Sequence, residues 1–186
     1  MVNIADELKS ALESLVSGAG DIVATTRNVT KDNVVGLLRA GGEVAGASLG
    51  MVSQVVSNGV SAVSQVGGSV TNGAKGLVSG AVSAVSEVGG DVGEAALEAS
   101  KGTVRGASSV GADVGEVAVS SVEGALHAAN EIGSDSGHLA TKAVLGALNA
   151  ADEIGSEAGG IVRKALLNAV ALPHDVIDAL LTGKTE

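Results

Sequence analysis

The phrase EIGSDSG at Glu131 returns as EIGSEAG at Glu153, 22 residues later. Written in rows of eleven from Asp6, the chain fills sixteen rows without an insertion and ends the last at Leu181. SAVSEVGGDVG, EVAVSSVEGAL, HAANEIGSDSG and HLATKAVLGAL are typical rows. A fixed period of this kind is the signature of a repeat architecture, and it restricts the fold more tightly than composition does. Columns two, three, six, seven, ten and eleven are apolar or Gly in nearly every row. Columns one, four, five, eight and nine hold mostly Ser, Asn, Asp, Glu, Lys, Gln and Gly.

Eleven residues in three turns is about 3.67 per turn, so each residue advances roughly 98° around a helix axis. On that wheel the six apolar columns form one unbroken arc and the five polar ones the other. A strand, with period two, gives no such partition, so the β-solenoid that the Val and Gly content suggests is disfavoured. The expected fold class is all-α, built from these eleven-residue repeats paired into a 22-residue period.

The pairing comes from a slower alternation at columns seven and eleven. One row carries Gly at both (Gly89 and Gly93, Gly111 and Gly115, Gly133 and Gly137, Gly155 and Gly159), and Gly67 occupies column seven of an earlier such row. The next row carries bulk: Val78 and Val82, Val122 and Leu126, Val144 and Leu148, Leu166 and Val170. Each Gly pair is a GxxxG, the spacing that lets helix backbones approach closely, so the glycines are expected as packing holes and the bulky residues as knobs. Gly in a helix interior costs about 0.8–1 kcal/mol relative to Ala. With 28 Gly in the chain, helical order has to come from packing and not from propensity.

Two arrangements keep this period. The unbroken register favours one long amphipathic helix. The segments GGDVG, GADVG, GSDSG and GSEAGG also read as turns, with Gly ending one helix and Asp or Ser capping the next, which would give stacked helical hairpins. The expected organisation is a tail at 1–5, a repeat array at 6–170 and a C-terminal segment at 171–186 led by Pro173, the only proline.

The chain of 186 residues contains no Phe, Tyr, Trp or Cys, so it has no aromatic core and no thiolate or disulfide chemistry. Its net charge of −10 argues against nucleic acid and against anionic membranes. The uncharged stretch from Val44 to Ala74 is interrupted at helical spacing by Ser53, Gln54, Ser57, Asn58, Ser61, Ser64 and Gln65, which rejects a spanning helix. Acidic Asp6 and Glu7 leave no cleaved secretory signal visible, so a cytoplasmic location or export by another route is expected.

No nucleophile elbow, P-loop or GxGxxG occurs, and no enzyme activity, cofactor or metal is expected. His127 and His138 share column one about 16 Å apart and cannot chelate one ion within a helix. His174 and Asp178 have the spacing of a surface pair. Asp91, Asp113, Asp135 and Glu157 repeat in column nine, where a solvated face is the simpler reading and cation binding between assembled helices the sharper one.

The stretch KGTVRGASSVGADVGEVAVSSV resembles the droplet-coating repeats of perilipins and, more remotely, the synuclein repeats, which implies an amphipathic helix on lipid. The periodic GxxxG is similar to glycine-zipper proteins, including surface-aggregating bacteriocins. Three functions follow as expectations. The first is a structural protein whose helices interlock with other copies into a filament, sheet or coat, its partner being itself. The second is a coat on neutral lipid or a hydrophobic granule, and the third a membrane-active glycine-zipper toxin.

Overall fold

The structure, a computed structural model, describes residues 21–41 and 45–170 as continuous stretches, with scattered positions before and after them. Among the described residues every regular element is an α-helix: α1 (Ile22–Ala40), α2 (Ala45–Gln65), α3 (Val70–Glu87), α4 (Val92–Val110), α5 (Val114–Ile132), α6 (Ser136–Ile154) and α7 (Ser156–Asn168). The helices are separate and packed against each other, so the one long helix favoured by the register is replaced by its alternative. Pro173, His174 and Asp178 lie outside the described residues, as do residues 1–5 and the boundary at 171.

Four of the breaks are built alike. Gly67, Gly89, Gly111 and Gly133 adopt φ of +71°, +75°, +70° and +69°, a left-handed conformation that costs any residue with a Cβ. The following residue donates its N–H back into the helix it has just left. Gly68 reaches the Val63 carbonyl, Gly90 that of Val85, Ala112 that of Ala107 and Ser134 that of Ala129, each at 2.9 Å. This is the Schellman closure, which satisfies a carbonyl the helix end would otherwise leave bare. One residue later the next helix is capped. Ser69, Asp91, Asp113 and Asp135 accept from the N–H groups of Asn72, Glu94, Glu116 and His138.

Such short turns reverse the chain, so helices two apart run parallel. They also make the most extensive contacts: α1 with α3, α4 with α6, α2 with α4 and α3 with α5. The result is two layers, α1, α3, α5 and α7 in one and α2, α4 and α6 in the other, with consecutive helices packing across. The core between them is mainly Val and Ala, and its largest fully buried side chains are Leu77, Leu139 and Leu166. Some buried hydroxyls are turned onto their own helices: Thr26 donates to the Ile22 carbonyl at 2.7 Å and Ser121 to that of Ala118 at 2.7 Å. Among the described residues no helix, α2 included, is long and apolar enough to cross a membrane.

The turn chemistry makes a direct prediction. Asp113→Ala should lower the unfolding free energy by about 0.5–2 kcal/mol through loss of the cap. Gly133→Ala should lower it by about 1–2 kcal/mol through backbone strain. Urea denaturation measures both, and an unchanged midpoint for Gly133→Ala would mean that the left-handed turn does not persist in solution.

Candidate functional site

Among the described residues no group of three or more His, Asp or Glu is placed to hold a metal ion. Asp91, Asp113 and Asp135 are the N-caps described above, and Glu157 lies in the first turn of α7. Their column-nine spacing follows from the spacing of helix starts. His127 Nδ1 lies 3.3 Å from Ser79 Oγ and 3.8 Å from Glu131 Oε2, a contact between α3 and α5.

The surfaces where helices meet are the remaining candidates, and the structure redistributes the expected holes. Gly67, Gly89, Gly111 and Gly133 are turn residues, and a Cβ added to any of them would meet nothing within 4 Å. Gly155, at φ +152°, is likewise in open space. Within the chain these five therefore receive no neighbour, and each expected GxxxG from 89/93 onward straddles a turn instead of lining one helix face. Their first-turn partners do take neighbours. A Cβ on Gly93 would stand 2.7 Å from His138 Nε2, and one on Gly115 would stand 3.0 Å from the Ala165 Cβ and 3.1 Å from Ile161. One on Gly159 would meet the Asp152 carboxylate at 2.5 Å. Gly137 is half-buried, and its carbonyl accepts the Thr141 hydroxyl at 2.9 Å.

Of the expected knobs, Val78, Val82, Val122, Val144, Leu148 and Leu166 are buried and Leu126 is half-buried. Val170 is fully exposed.

The closest approaches fall at glycines the sequence reading passed over. A Cβ on Gly80 would collide with the Arg27 carbonyl, one on Gly102 with that of Ser53, one on Gly124 with that of Lys75 and one on Gly146 with that of Leu97. Gly76 and Gly106 extend the contact by one turn, against Val23 with Thr26 and against Ser57 with Val60. In each case a backbone two helices away rests on the glycine. Gly80, Gly102, Gly124 and Gly146 occupy column nine, alternating with the capping acids, and that alternation was the available signal.

Ion pairs keep the same offset. Lys75 meets Glu123 at 3.4 Å, Lys142 meets Glu94 at 2.8 Å, Arg39 meets Glu87 at 3.1 Å and Arg105 Nε meets Glu153 at 3.0 Å. Partners in all four are 48 residues apart, two helix-and-turn units plus about one helical turn. Arg27 spans further, from α1 to Glu131 of α5 at 2.5 Å. A hydrogen bond and the charge of Lys31, with the charge of Arg39, hold the Glu87 carboxyl below its ordinary 4.5. The hydrogen bond from Arg105, assisted by Lys101 and opposed by partial desolvation, lowers that of Glu153.

The fifth position in the glycine series is Asn168, and there the packing opens. An open groove of about 750 Å³ runs beside the contact of α7 with α5, lined among others by Val119, Ile161, Ala165 and Asn168. Glu116 and Lys164 also line it. They stand 48 residues apart, as Glu94 and Lys142 do, yet among the described residues no ion pair joins them.

The chain matches no protein-family model, and no curated protein matches its sequence.

Two predictions follow from these contacts. Gly124→Ala should destabilise by about 1–3 kcal/mol, because the Lys75 carbonyl lies where the methyl would go. Gly36→Ala, at an exposed helical glycine with nothing within 4 Å, should stabilise by up to about 1 kcal/mol. Paired denaturation curves check the opposite signs. For pH, Glu87 and Glu153 have folded-state values below 4.5, so their stabilisation is present above that value and is lost as pH falls through the lowered one. The thermal midpoint should therefore drop on acidification from about pH 5 to about pH 3, and Glu153→Gln should flatten that slope.

Proposed function

We propose that this chain is a non-enzymatic structural protein that associates with copies of itself into a filament or sheet, with no cofactor and no nucleic-acid partner. The observation that supports this most directly is the backbone contact at Gly80, Gly102, Gly124 and Gly146, which meshes parallel helices without any large side chain. We take the eleven-residue rows, paired into 22, as the rule that generates the mesh, and glycine packing of the zipper type as its physical basis. A mesh of this kind is open along the layer direction, because each helix has a glycine-bearing side and a side that rests on the next glycine.

A coat on neutral lipid or a granule needs a free apolar arc along each helix. Here the arcs of α3 to α6 are turned onto other helices, with Val78, Val82, Val122 and Leu139 fully buried, so adsorption would require the layers to separate. A membrane-active toxin requires the same opening.

Circular dichroism and negative-stain microscopy on the purified chain in lipid-free buffer test the proposal. A helical spectrum with concentration-dependent, regular assemblies is expected. A disordered spectrum that becomes helical only on adding oil or liposomes would transfer support to the coat.

A further inference from the structure

The outward sides of α7 and α1 differ from every other helix side in their layer. On α3 the side that meets α5 carries Lys75, Val78, Ser79 and Val82, and the last three are fully or almost fully buried by it. Eighty-eight residues later, the same positions on and just beyond α7 are Arg163, Leu166, Leu167 and Val170. Leu166 is held in the core, but Leu167 is 39% exposed and Val170 101%.

The opposite side of the layer is the complement. Ala24, Asn28, Asp32, Gly36 and Ala40 are exposed along one edge of α1. Their counterparts 44 residues on are Gly68, Asn72, Gly76, Gly80 and Ala84, the edge of α3 on which α1 rests. Gly36 thus corresponds to Gly80, but where Gly80 is covered by the Arg27 carbonyl, Gly36 is bare. The two outward sides also carry opposite charge. Arg163 is more than half exposed, with only a 3.8 Å contact to Asp152, and Asp32 is exposed with no ion pair among the described residues.

We infer that the α7 side of one copy docks on the α1 side of another, Leu167, Val170 and Arg163 seating along Ala24, Asp32, Gly36 and Ala40, so that copies join head to tail. The joint continues the contact already made twice within the layer, at Gly80 and at Gly124, and its occupant is a second copy because this chain carries both halves. A heterologous contact of this kind does not close on itself unless the copies curve into a ring, and so it propagates. The inference rests on the self-association proposed above and adds the faces and the direction.

Two variants test it. Gly36→Leu places a side chain into open space in the single copy but blocks the bare edge. Leu167→Glu puts a carboxylate on the exposed α7 side. Sedimentation of the full chain, with circular dichroism to verify folding, is expected to show assembly for the wild type and its loss in each variant alone. A one-to-one mixture is expected to form a dimer that grows no further, because the intact α7 side of one variant meets the intact α1 side of the other. Assembly by Gly36→Leu alone at wild-type concentration would overturn the inference while leaving self-association standing. So would two folded, monomeric variants that fail to pair when mixed. A wild-type chain that stays monomeric in lipid-free buffer would remove the underlying proposal as well.

Discussion

Contact between one helix's carbonyl groups and another helix's glycine sets the spacing of the whole array. Where Lys75 rests on Gly124, or Leu97 on Gly146, no side chain separates the two backbones. That closeness is what allows a chain without aromatic residues to build a core at all. Val and Ala are short, and they fill the space between helices only when the axes come near enough for methyl groups to interdigitate. Ala95, Ala96, Ala99, Ala118, Ala125, Ala140 and Ala147 are all fully buried on this account. Glycine in a helix costs about 1 kcal/mol of propensity, and at these positions the dispersion and burial gained by close approach offset it.

The glycine seats and the polar groups together supply the axial register. Four ion pairs repeat the 48-residue offset, at both ends of their helices: Glu94 with Lys142 near the starts of α4 and α6, Arg105 with Glu153 near their ends. Exposed pairs of this type contribute little stability individually, commonly below about 1 kcal/mol. Their effect is selective, because a slip by one turn would break several of them together and would also move each carbonyl off its glycine. Arg27, reaching from α1 past α3 to Glu131 of α5, ties three helices of one layer at once.

The helical class, the apolar faces and the turn segments were all readable from eleven-residue rows, and most of the bulky positions named from them are buried. The break-up of the rod was legible in GGDVG and GADVG, but the constant phase of the wheel argued against it. The phase is constant because each helix and its turn together occupy one fixed length, not because the helix continues through Gly89 or Gly111. The packing glycines were hidden for a related reason. A wheel drawn over the whole chain merges Asp91 with Gly102 and Asp113 with Gly124 in one column, and the acids made that column look solvated. Only the cap geometry separates the two roles: in alternate rows column nine starts a helix, and in the others it lies mid-helix on the border of the apolar arc, where a neighbour rests. Nothing in the rows themselves said that the contact partner would be two helices away.

The same logic explains where the mesh ends. At 168 the series Gly80, Gly102, Gly124, Gly146 meets Asn, which carries a side chain where the other four have none. Helix α7 stops after 13 residues, and a groove lined by Glu116 and Lys164 opens between it and α5. Arrays built from units that contact only their neighbours usually finish in a polar outer face, since an apolar one invites further addition. Here Leu167 and Val170 stay exposed on the outward side of α7 while Gly36 lies bare on α1. On the proposed self-association, a second copy would meet the same surface chemistry that the chain gives its own next helix.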